Sequence, residues 1–270
     1  MNKVPGDIAL FHPRIGRVNW IGLSTLYLKE VQRFVKVATQ TLLAPVVTTL
    51  LFLAVFSLAL GGNVRQVGGV PFIEFLAPGL IMMAIAQNSF ANTASSVLIS
   101  KVQGSIVDML MPPVSAGEFT FAYVAAGATR GVCVGIVVAL AMLPFAGFGI
   151  AHAWAIVYYA LAASLMLSLL GLLGGLWADK FDHMAAVTNF VITPLAFLSG
   201  TFYSIERLPS LFHHIALANP FFFMIDGFRY GFIGHADGTI WVGGAALAGI
   251  DAAFWLLCLL LVHRGYKLKS

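Results

Sequence analysis

Charge is what this sequence has least of: 10% of its 270 residues are charged and 60% are hydrophobic, where soluble domains carry roughly a quarter charged residues. A soluble fold of this length could not hide so much apolar surface. Lipid must therefore be its solvent, and a soluble enzyme is excluded. Only two cysteines occur, Cys133 and Cys258, both within apolar runs; they read as packed thiols, not as a disulfide or a metal pair. The N-terminal stretch has no signal-peptide apolar core with a cleavage site, so it is expected to be retained. The dipeptide Gly-Lys is missing, and with it any G-x-x-x-x-G-K-[ST] loop to cradle nucleotide phosphates. H-E-x-x-H and G-x-S-x-G are missing too, which leaves a membrane enzyme without a catalytic constellation. Within the apolar spans, Asp251 is the one acidic residue near mid-depth. Ion-driven carriers usually need several buried ionisable groups, so either the protein is passive or another subunit supplies the energy.

What is present is a succession of long apolar runs. A span needs about 20 such residues, and the runs predict an all-α membrane protein with six transmembrane helices: 37–60, 75–98, a third whose apolar run covers 131–148, then 153–178, 184–203 and 241–262. Residues 1–36 form a cytosolic lead and an interface helix, 37–262 one transmembrane domain, and 263–270 a tail. In 19–36 the apolar positions Trp20, Leu23, Tyr27, Val31 and Phe34 recur at steps of three or four, beside a basic stripe of Lys29, Arg33 and Lys36. That is the pattern of an amphipathic helix in the membrane interface; a plain cytosolic extension of the first span is the alternative.

The net charge of +4 and pI near 9.2 point to anionic lipid and not to nucleic acid, because the basic residues flank the spans. Eleven Lys or Arg fall on the side of the termini, residues 99–118 and 179–183, and three on the other. The positive-inside rule then puts both termini in the cytosol. Arg130 is expected at the inner boundary of the third span, where its stem can snorkel.

Two non-spanning segments carry the functional reading. In SKVQGSIVDMLMPPVSAGE, Ser105 and Asp108 have N-cap spacing, Pro112–Pro113 end the helix, and Ser115 with Glu118 makes a second capping box that opens the third helix. A helix over 105–111 would expose Ile106, Val107, Met109, Leu110 and Met111, as a docking knob or as a turn lying on lipid. Residues 199–234 are too apolar for an ordinary loop and too broken by Pro209, Asn219–Pro220, Gly227 and Gly231 to span; they read as a re-entrant helical pair lining or capping a cavity. Asp226 and Arg229, three apart on a helix, could form an ion pair. The surrounding aromatics, among them Phe221, Phe222 and Phe223, would form either a gate or an interfacial belt. No metal site is assigned: Asp179, Asp182 and His183 read as a solvated turn, and adjacent His213 and His214 would point to different helix faces.

At this point the sequence resembles a family, the ABC-2-type permeases of bacterial ABC exporters related to nodulation and daunorubicin-resistance permeases. The resemblance rests on P-x-x-F-L-S-G-x-F, then L-P, N-P and D-x-x-R: here Pro194, Phe197 to Gly200, Phe202, Leu208–Pro209, Asn219–Pro220, Asp226 and Arg229. It implies a bacterial inner-membrane exporter of an amphipathic substrate: a drug, a lipid or a lipid-linked glycan. It implies a homodimer paired with two copies of a separate ATPase, which binds the ATP and magnesium, so that this chain holds no cofactor and no catalytic site. Ser105, Ile106, Asp108, Met109, Leu110 and Met111 would form the coupling helix on that ATPase. Asn219, Pro220, Phe221, Phe222, Phe223, Asp226 and Arg229 would belong to the exit gate. A secondary carrier or channel, which would need no docking helix, is the rival.

Overall fold

A computed structural model describes residues 18–60, 66–67, 69–106, 113–147, 149–205 and 209–267. Its helices are α1 (Trp20–Val35), α2 (Ala38–Leu60), α3 (Phe72–Val102), α4 (Ala116–Ala146), α5 (Ala153–Trp177), α6 (Phe181–Val187), α7 (Thr193–Phe197), α8 (Ser210–Ala218), α9 (Pro220–Ile233) and α10 (Ile240–His263). A single antiparallel ribbon of β1 (Gln66–Val67) and β2 (Val70–Pro71) is added to the expected all-α fold. Among the described residues, five helices, α2, α3, α4, α5 and α10, are long and apolar enough to cross a bilayer.

The expected fifth span takes a different form. Residues 181–197 are helical, but a π-helical turn over Thr188–Ile192 separates α6 from α7, and the N–H of Thr193 reaches back five residues to the Thr188 carbonyl. Pro194 follows at once and has no N–H to donate, so the ladder widens by one residue ahead of it. The helix then stops at Phe197, well short of 203. Ser199 and Thr201 hydroxyls both donate to the Ala196 carbonyl, satisfying the helix end that the stop leaves open. Among the described residues, five helices thus have the length and apolarity of a span, and the expected fifth span is a short, broken helix.

The helix of the third span, α4, starts at Ala116, directly after the expected cap, and runs 31 residues, about 46 Å at 1.5 Å per residue; the apolar run from 131 is its second half. Its start is the expected capping box: Glu118 N–H donates to Ser115 Oγ (3.3 Å), and Ser115 N–H donates to Glu118 Oε2 (2.7 Å).

At the centre of the bundle stands α3, buried along most of its length and packed by α4, α5, α9 and α2. Lipid gives helices no hydrophobic reason to associate, so close approach over small residues takes over. Gly127, Gly131 and Gly135 of α4 face Thr93, Ser89 and Ile85 of α3, while Gly171 and Gly175 of α5 face Phe90 and Val97. Helix α1 buries Leu26, Glu30 and Phe34 and packs chiefly on α4, presenting Trp20, Ile21, Leu28 and Val35 outward.

The segments assigned to one membrane side by charge do gather at one end. Lys101 Nζ donates to the Leu176 (2.8 Å) and Ala178 (2.6 Å) carbonyls at the C-terminus of α5, where a cation is favoured. Asp179 accepts from Lys267 Nζ of the tail (2.7 Å) and meets Lys101 at 3.5 Å. The hydrogen bond from Lys267, chiefly, holds the Asp179 carboxyl below its usual range.

A Cβ on Gly171 would lie 2.5 Å from the Phe90 carbonyl oxygen, backbone against backbone, whereas one on Gly249 of α10 would meet nothing within 4 Å. We therefore expect Gly171→Val to destabilise the bundle by about 1–3 kcal/mol or more, read as a lower melting temperature in detergent. Gly249→Ala should leave the melting temperature unchanged.

Candidate functional site

Polar side chains are sparse in the spans, and the fold collects them. On α1, Glu30 and Arg33 sit one turn apart and pair (3.2 Å), with Glu30 fully inside the protein. Ser96 of α3 donates to the same Glu30 oxygen (2.6 Å). Arg33 Nη2 reaches the carbonyl of Asn92 (2.7 Å) and its Oδ1 (3.0 Å). From α4, Arg130 reaches the Oδ1 atoms of Asn88 (3.3 Å) and Asn92 (3.5 Å). Arg130 lies near the middle of the 31-residue α4 and turns to the amides of α3.

This cluster borders a groove of about 660 Å³ between α2, α3 and α4, within the range of small-molecule sites. Gln40, Thr48, Gln87, Asn88 and Arg130 give it polar positions, and Pro45, Phe52, Leu80 and Met83 give it apolar ones. None of these was singled out as a site residue from sequence. The available signal was three amides, Gln87, Asn88 and Asn92, within six residues of one span, a cluster that inside a membrane points to function.

The expected docking residues divide. Val107, Asp108, Met109, Leu110 and Met111 lie outside the described residues. Ile106, expected to be exposed, is buried in a cluster with Leu26, Val97 and Phe119. Gly104, at φ +70°, turns the chain back onto the bundle. The Ser105 hydroxyl, expected to cap a helix, donates to the Ser100 carbonyl (3.4 Å). The downstream end of the segment is fixed: Asn19 Nδ2 donates to the Pro113 carbonyl (3.2 Å), and the Asn19 N–H donates to Glu118 Oε1.

The expected exit residues are brought together. Asn219 separates α8 from α9, caps α9 by accepting from Phe221 N–H (3.0 Å), and donates to the Leu195 carbonyl of α7 (2.7 Å). Pro220 takes the first position of α9, where its missing N–H costs nothing. Phe221 and Phe222 are core side chains, and Phe223 is half-buried against Gly243 of α10. The expected Asp226–Arg229 ion pair is not formed. Asp226 instead accepts from the Asp237 and Gly238 N–H groups (2.9 Å each) in the turn before α10. Arg229 donates to the carbonyls of Phe75 (3.2 Å) and Gly200 (2.8 Å), with its guanidinium 3.7 Å above the Phe75 ring. Backbone groups outcompete the pair because each is otherwise an orphan in a buried setting. Outside this cluster, Asp251 is half-buried and one of its oxygens has no hydrogen-bond partner among the described residues.

The structure is thus a bundle of apolar helices around a polar groove, with a broken helix and a short helical pair before the last long helix. The chain matches the ABC-2 type transporter family over residues 22–233 and belongs to it. It is 38% identical over 252 residues to the inner membrane transport permease YadH of Escherichia coli K12, covering 93% of this chain and 98% of that one. It is 27% identical over 231 residues to Nodulation protein J of Rhizobium leguminosarum bv. trifolii, covering 82% and 83%.

Asp226 and Arg229 hold different partners, so their losses should accumulate. Hydrogen bonds to charged groups are worth about 1.5–3 kcal/mol. We expect Asp226→Ala and Arg229→Ala each to destabilise by at least that much, and the double variant to be less stable than either, by thermal unfolding in detergent. A double variant milder than the single ones would restore the ion pair.

Proposed function

We propose that this chain is the permease subunit of an ATP-driven exporter in a bacterial inner membrane, with both termini cytosolic. It acts as a homodimer with two copies of a separately encoded ATPase, which bring the ATP and magnesium, and it moves an amphipathic substrate. The observation that carries the proposal is the family match over residues 22–233 in a chain that has no nucleotide-phosphate loop of its own. The energy source must then sit in a partner. The groove supports the substrate class, since it sets amides and a guanidinium beside apolar walls.

In this reading the segment 105–111 docks on the ATPase. Its base is clamped at both ends, by Ile106 in the core and by Pro113 on Asn19, so a push there reaches α1 and α4. Residues Asn219 to Arg229 stand at the opposite end and flank the exit. There Trp154 and Trp241 stack at 5.4 Å and are exposed, in the manner of membrane-interface anchors.

The test is co-purification of the tagged chain with a soluble protein carrying G-x-x-x-x-G-K-[ST]. We expect stoichiometric capture. Leu110→Asp should insert normally yet lose capture by roughly tenfold, the loss expected from one large apolar side chain. Normal capture by that variant would remove the docking assignment, and no ATPase in the wild-type complex would remove the transport reading.

A further inference from the structure

We propose that the groove between α2, α3 and α4 binds the anionic headgroup of an amphiphile, with Arg130 as the group that receives the negative charge. The inference deepens the transport reading and rests on it for the word substrate; the binding site itself does not depend on it.

Charge is unbalanced at this place. Two guanidinium groups, Arg33 and Arg130, converge on Asn92. One carboxylate stands nearby, Glu30, and it is already engaged by Arg33 and Ser96. Among the described residues, no acidic side chain lines the groove. Arg130 is left with two neutral amide oxygens at 3.3 and 3.5 Å, while its Nε has no partner among the described residues. Such contacts are long for hydrogen bonds, and a guanidinium offers five donors in a fork that fits phosphate or carboxylate. Arg229 shows what a structural arginine looks like in this protein: its Nε and Nη2 bond backbone carbonyls at 3.2 and 2.8 Å, and an aromatic ring covers its face.

The rest of the groove describes the remainder of the ligand. Gln40 and Gln87 are exposed in it and make no hydrogen bond among the described residues, so they are free for other polar atoms of a headgroup. Phe52, Leu80 and Met83 continue the wall away from Arg130 and suit an acyl or prenyl chain. Gln40 is near the start of α2, so the groove opens toward the end where Lys101, Asp179 and the tail gather. In the proposed orientation that is the cytosolic leaflet, from which an exporter must load.

The experiment uses the purified chain in phosphatidylcholine nanodiscs doped with dioleoyl phosphatidic acid, with lipid retention read by native mass spectrometry. We expect phosphatidic acid to be retained about tenfold over phosphatidylcholine of the same chains, and Arg130→Gln to remove that preference. Arg130→Lys keeps the charge and should keep most of the preference; an equal loss in both variants would make the effect one of packing and overturn the proposal. Lys267→Gln, a cation outside the groove, should change nothing, and a loss there would reduce the effect to general surface charge and also overturn it. Inorganic phosphate at millimolar concentration should not displace the lipid; displacement would mark a free-anion site and overturn the amphiphile. If the preference fails while the chain still captures its ATPase, this inference alone falls. If capture fails while the preference holds, the transport reading falls and the anion site remains.

Discussion

In hydrocarbon, helices gain nothing by hiding apolar faces from lipid that is equally apolar, so contact between backbones has to supply the cohesion. Here that contact is the approach of α4 and α5 to α3 over glycines, Gly131 against Ser89 and Gly171 against Phe90. The polar cluster on α3 depends on it. Asn88 and Asn92 of α3 meet Arg130 only because α4 lies within side-chain reach along that seam. Glu30 meets Ser96 because α1, packed on α4, is brought over the same part of α3.

The two interior arginines show how one constraint is met in two ways. A charge in a low-dielectric interior must be answered by dipoles or by an opposite charge. Arg229 is answered completely, by two carbonyls and a ring, and in return it ties α9 to α3 and to the chain end after α7. Arg130 is answered in part, at the wall of a groove. The first arrangement fixes the architecture; the second leaves electrostatic potential open to whatever enters.

Much of the fold was legible because lipid allows few solutions. The spans α2, α3, α5 and α10, the capping box at Ser115, and the break at Asn219–Pro220 all follow from apolar length, cap chemistry and proline. What escaped did so for local reasons. Pro194 signalled a bend, but not that the ladder would widen ahead of it and stop at Phe197. The Asp226–Arg229 spacing suggested a pair, and the chain instead spent each charge on backbone groups distant in sequence. The partners of Arg130 sit about forty residues away, at a separation that no periodicity encodes.

One carboxylate serves two helices. Glu118 accepts from the Ser115 N–H at the start of α4 and from the Asn19 N–H at the start of α1, while Asn19 also holds Pro113. Charge-assisted bonds of this kind are strong and directional. The two helix starts and the chain entering α4 therefore share a single pivot. Pro113 thus sits at the elbow of a crank whose two arms are α1, carrying Arg33, and α4, carrying Arg130.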